Sequence, residues 1–128
     1  MTVTRSVMLF SELETRLDGA LREHDEATLK KLVAANFEQR NGANPGKPTP
    51  RADWIAASKA HAVYELGEMA VHEYDGISVV SFLSTGAAQR TFIVDVWSKS
   101  GDSYVLSVRY TSPAGAGTPQ TQPANPAK

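Results

Sequence analysis

The chain has 128 residues, 41% of them hydrophobic, 21% charged and 8% aromatic, with a formal net charge of -1, the composition of one globular domain. That near-neutral balance excludes a broad basic surface for nucleic acid, and the absence of cysteine excludes disulfides, thiolate nucleophiles and sulfur-ligated zinc. No run approaches the roughly 20 apolar residues that span a bilayer, and residues 1 to 9 lack the parts of a secretory signal, so no membrane contact and a cytoplasmic location are expected. A secreted chain cloned without its signal is the alternative.

In chain order, Phe10, Leu13, Leu17, Ala20 and Leu21 recur at steps of three and four, with charged residues between them. This is the pattern of an amphipathic helix. Asp25 is a good N-cap for a second, shorter helix carrying Leu29, Leu32, Val33 and Phe37. Asn41 to Pro48 is a loop of Asn, Gly and Pro. Thr49 then caps a third helix, with Pro50 at its first position and Trp54, Ile55, Ser58, His61 and Ala62 along one side.

From about Leu66 the period shortens to two. Asp75-Gly76 reads as a hairpin turn between strands near Met69 to Tyr74 and Ile77 to Ser84. A third strand, Arg90 to Ser98, turns through Ser100-Gly101 into a fourth, Ser103 to Thr111. A two-residue turn there sets Asp95 opposite Leu106, Trp97 opposite Tyr104, Ile93 opposite Val108 and Thr91 opposite Tyr110, with Arg109 opposite Phe92 and facing away from Asp95. Both faces of this hairpin are then apolar, whereas an antiparallel sheet usually leaves one face to water. A homodimer through the sheet is the expected assembly, and a strongly curled sheet that covers its own second face is the alternative. From Pro113 onward the chain is rich in Pro, Gly, Thr and Gln with no large apolar side chain, which predicts a domain over residues 1–112 and a disordered tail over 113–128.

Charge is unevenly spread: 21 of the 27 charged residues lie in residues 1 to 75 and five in residues 76 to 112. The sheet half is therefore poor in charge, and Asp95 stands alone in the apolar run Ile93-Val94-Asp95-Val96-Trp97. A buried carboxylate must be paired, hydrogen-bonded or protonated. Asp95 either accepts bonds that fix the sheet or serves a pocket as acid or hydrogen-bond donor. Trp54, Ile93, Trp97, Leu106 and Tyr110 are candidate pocket walls, His61 a candidate polar group at the end of the third helix, and His72 lies on the face opposite Asp95. Gly42 to Lys47 does not have the spacing of a phosphate loop. No two of His24, His61 and His72 stand at metal-ligand spacing, so neither metal nor cofactor is expected.

The order of elements, with His24-Asp25-Glu26 through Leu32 and Phe37, the Asp53-Trp54-Ile55 segment, and Val94-Asp95-Val96-Trp97 followed by Gly101 and Val105-Leu106, resembles the nuclear transport factor 2-like superfamily. The likeness covers roughly residues 7 to 111. More narrowly, it resembles the small bacterial domains of that superfamily with no assigned function, related to SnoaL-like polyketide cyclases. The resemblance implies an α+β, cone-shaped, cystatin-like fold, with three N-terminal helices packed on a bent antiparallel sheet around a pocket. It also places Asp95 where ketosteroid isomerase, a member of that superfamily, has a protonated aspartate. Leu17 and Asn41 stand where that enzyme has its oxyanion tyrosine and its general base. Leu cannot donate a hydrogen bond and Asn cannot take up a proton, so that activity is not expected.

Three functions follow as expectations. The first is a dimeric binding domain for a small apolar molecule, walled by Trp54, Ile93, Trp97 and Leu106 with Asp95 as anchor. The second is a cofactor-independent isomerase, cyclase or dehydratase using Asp95, assisted by His61 or Tyr110. The third is an association module whose functional part is the sheet surface.

Overall fold

The computed structural model describes residues 4–57, 65–86 and 89–115. Helix α1 (Arg5–Glu23) starts at Thr4, whose hydroxyl accepts from the Val7 amide, and stops at His24, whose backbone adopts the left-handed conformation. Asp25 caps α2 (Glu26–Leu32) as its side chain predicts, accepting from Thr28. Then follow β1 (Val33–Asn41), β2 (Thr49–Pro50), α3 (Arg51–Ala57), β3 (Glu65–Tyr74), β4 (Ile77–Thr85), β5 (Arg90–Ser100) and β6 (Ser103–Pro113).

These strands form one six-stranded sheet in the order β2-β1-β6-β5-β4-β3. All neighbours are antiparallel except β1 and β6, which are parallel. Helix α1 lies on the inner face through the buried residues Phe10, Leu13, Leu17, Ala20 and Leu21, with the Phe10 ring 6.2 Å from Trp97 and 5.0 Å from Tyr104. Ser6 donates a hydrogen bond to Glu73, tying the start of α1 to β3. No helix among the described residues is long and apolar enough to cross a membrane.

The structure corrects the expected order of helices. Two helices precede the sheet, not three, because the second ends at Leu32 and Val33 to Asn41 is a strand. Val33 and Phe37, four apart, fit a helical stripe, yet a break in the strand produces the same spacing. Val33 pairs with Leu106 and Glu38 with Val108, so five steps on β1 match two on β6 and both apolar side chains reach the core. Thr49 and Pro50, expected to open the third helix, instead pair with Gln39 and Glu38, and α3 starts at Arg51. Ser58, His61 and Ala62 lie outside the described residues. So does the expected tail beyond Gly115, while Pro113 is the last residue of β6.

The hairpin register also differs. The turn uses Gly101 and Asp102 rather than Ser100 and Gly101, with Gly101 at φ +63 and Ser100 opposite Ser103. Trp97 therefore pairs with Leu106 rather than Tyr104. A bulge follows: Val96 pairs with Val108, leaving Ser107 as the extra residue, and Asp95 pairs with Arg109 rather than Leu106. Because side chains alternate, that one extra residue turns Arg109 inward to face Asp95 and moves Val108 to the outer face with Val96.

Candidate functional site

A cluster of ions sits under α1, in the middle of the inner face. Asp95 on β5 is 0% exposed and Arg109 on β6 is 8% exposed. The guanidinium donates to both carboxylate oxygens, Nε to Oδ1 at 2.7 Å and Nη2 to Oδ2 at 2.8 Å, a two-pronged pairing that fits the planar fork of arginine. The same Nη2 reaches Glu14 Oε1 at 3.3 Å, and the Trp97 indole donates to Glu14 Oε2 at 2.9 Å. Trp54, on α3, lies with its ring centroid 5.5 Å from the Arg109 guanidinium carbon and 4.5 Å from the Phe37 ring, so the cation also meets an aromatic face.

Two carboxyl groups thus share one buried guanidinium. Burial, then the charge of Asp95, then a hydrogen bond with Asp95, push the Glu14 carboxyl well above the usual carboxylate range; Arg109 and Trp97 offset this only in part. Burial works against the charge of Arg109, but Asp95 and then Glu14 outweigh it and raise its pKa above the ordinary arginine value. The upward shift favours the protonated form of Glu14, in which the cluster is one ion pair with a neutral acid beside it. That arrangement avoids an unpaired charge in the core.

Of the residues expected to wall a pocket, Trp54, Ile93, Trp97 and Leu106 are buried and share the core with Asp95. Tyr110 is not with them. It pairs with Val94 on the outer face and is 47% exposed, because the bulge that turns Arg109 inward turns its neighbour outward. His61 is outside the described residues. His72 pairs with Val79, whose other neighbour is Val96, on the face away from Asp95 as expected, and stacks on Tyr74. The space beside the ions, between Glu14, Asp18, Leu66, Ser84 and Arg109, is about 20 Å³, room for about one water.

Arg109 is the partner that the expected register turned away from Asp95, and Glu14, on α1, is the partner that the reading of the sheet did not include. Glu14 stands four residues after Phe10 and three before Leu17, on the apolar stripe itself, which is the sequence signal for a buried acid. Arg109 is the one charged residue of Ser103 to Pro113, a lone cation in a strand beside a strand with a lone anion.

The outer face is different in kind. Phe92 is 42% exposed, Ile77 40% and Tyr110 47%, with Val94, Val96 and Val108 half-buried between them. A recess of about 450 Å³ adjoins this patch, where Pro45 in the β1–β2 connection faces Phe92, Val94 and Tyr110. Arg40 holds that connection in place, donating from Nη2 to the Pro45 carbonyl at 2.8 Å.

No family model and no curated protein matches the chain. Solved structures do. The hub of CaMKII from S. rosetta is 15% identical over 88% of this chain and 100% of its own, with a TM-score of 0.73. An NTF2-like protein from Cytophaga hutchinsonii is 14% identical over 88% of this chain and 99% of its own, with a TM-score of 0.71. A protein of unknown function with a cystatin-like fold, from Nostoc punctiforme, is 13% identical over 91% of this chain and 97% of its own, with a TM-score of 0.69. The chain is an α+β domain with the nuclear transport factor 2-like, cystatin-like fold.

Proposed function

We propose that this domain is an association module that pairs with a second copy of itself through the outer face of its sheet. The observation that carries the reading is the exposed apolar patch of Ile77, Phe92 and Tyr110 on strands β4, β5 and β6. Scattered apolar residues are ordinary on a protein surface, but a contiguous aromatic and branched patch on a sheet is the composition of an interface core. Two copies laid face to face would bury it, and aromatic side chains are the usual energetic anchors of such contacts. The CaMKII hub among the structural neighbours supports the same reading by likeness of fold. Sedimentation velocity at micromolar concentration tests it: a two-chain mass is expected, and a one-chain mass throughout contradicts it.

A second reading keeps the inner face as a small-molecule site, or as the acid group of an enzyme. It is favoured by the burial of Trp54, Ile93, Trp97 and Leu106 in the same core as Asp95. It requires a ligand to displace Glu14 or to part α1 from the sheet, since the free space there is about 20 Å³. Asp95 accepts two bonds from Arg109, the geometry of an acceptor rather than of the donor that the isomerase resemblance implies.

A further inference from the structure

A second cavity lies on the helical side, away from both the buried ions and the outer sheet face. It measures about 400 Å³ and lies between α2 and α3, lined by His24, Glu26, Lys30, Arg51, Ala52, Ile55 and Ala56, within the size range of small-molecule sites. Among the described lining residues the charged side chains are unbalanced: Lys30 and Arg51 are cations, against the single acid Glu26. Glu26 is engaged with His24, Oε2 to Nε2 at 3.4 Å. Asp25, the nearest acid along the chain, is occupied in capping α2 through the amide and hydroxyl of Thr28.

Arg51 is the unexplained member. Its Nε is buried without a hydrogen-bond partner, and so is Nδ1 of His24. A guanidinium N–H cannot shed its proton to escape that cost, so it wants an acceptor that the described residues do not supply. An oxyanion on the Nε edge of the guanidinium would supply one after a small turn of the side chain. Lys30 and His24 line the same space from α2 and from the α1–α2 junction. Three donors approaching from separate elements suit a phosphate, with its three terminal oxygens, better than a planar carboxylate with two. Ile55, Ala52 and Ala56 form an apolar wall beside them, which suits a small body attached to the phosphate.

We infer that the cavity between α2 and α3 binds a small phosphate monoester, its phosphate held by Arg51, Lys30 and His24 and its apolar part set against Ile55. This inference is independent of self-association, because the cavity and the outer sheet face share no lining residue.

The test is a titration of the full chain followed by nuclear magnetic resonance, using inorganic phosphate, phenyl phosphate and, at matched ionic strength, chloride. Saturable shifts are expected at His24, Lys30, Ala52 and the Arg51 side-chain N–H with both phosphates. Phenyl phosphate should bind more tightly than inorganic phosphate, because only it uses the apolar wall. Arg51→Gln should weaken phenyl phosphate by about tenfold or more, the cost of a charge-assisted pair, while Lys47→Gln, on the β1–β2 connection, should leave it unchanged. Thermal melts of both variants keep a folding defect from being read as lost affinity. Where Arg51→Gln does not fold, Lys30→Gln with at least a threefold loss serves in its place. Equal shifts with chloride and phosphate, or full affinity in a folded Arg51→Gln, would overturn the inference.

Discussion

Replacing Arg109 by methionine should be among the most damaging single changes in the core. Asp95 would remain fully buried after losing both guanidinium bonds, at 2.7 and 2.8 Å. Removing one partner of a buried ion pair costs about 3–5 kcal/mol, because the other charge is left uncompensated. A domain of this size has about 5–15 kcal/mol in total, so from about a fifth to all of its stability is at stake. At about 4 °C per kcal/mol, the melting temperature should fall by roughly 10–20 °C. Replacing both partners, Asp95→Leu with Arg109→Met, removes the stranded charge, and such exchanges are often neutral or stabilising. The double variant should therefore be more stable than Arg109→Met alone, with a coupling energy of about 3 kcal/mol between the sites. Urea unfolding followed by tryptophan fluorescence measures this, since the midpoint reports stability while the slope stays constant. A loss below about 1 kcal/mol in Arg109→Met, or a double variant that costs the sum of the two singles, would refute the reasoning.

Two further predictions concern the same cluster. Glu14 has a folded pKa raised above its unfolded value, so the stability it contributes is complete below the unfolded pKa and is lost as pH rises through the folded one. Glu14→Gln keeps the shape and cannot ionise, so its advantage over the parent should grow with rising pH; parallel pH–stability curves for the two would contradict the buried, protonated acid. Native mass spectrometry of the protein as purified should show chains without a retained small molecule in the core. A bound mass that disappears in Asp95→Asn, with the fold intact, would move the function to the inner face.

Much of the architecture was legible before any coordinates. The amphipathic spacing of α1, the Asp25 cap, the Asp75-Gly76 turn and the long apolar strands all report local chemistry, and each is where those residues place it. What failed was non-local. Val33 to Asn41 makes a strand only because β6 is there to pair with it, and no residue within the segment announces that. The isolation of Asp95 was readable as a mark of burial, yet its partner was not assigned, because a single extra residue at Ser107 reverses which side of β6 faces in. Glu14 could have been found: its place on the Phe10–Leu17 stripe marks it as buried, and a buried acid near a lone Asp calls for a cation between them.

The central claim, that the outer sheet face is an interface between two copies, is tested most directly by sedimentation equilibrium on the parent chain, Phe92→Glu and Met8→Glu. Phe92 lies in the apolar patch, while Met8, also exposed, lies on α1 away from it. The account predicts a two-chain mass for the parent and for Met8→Glu, and a one-chain mass for a folded Phe92→Glu at the same concentration. A one-chain mass for the parent, or a two-chain mass that survives Phe92→Glu, would contradict it.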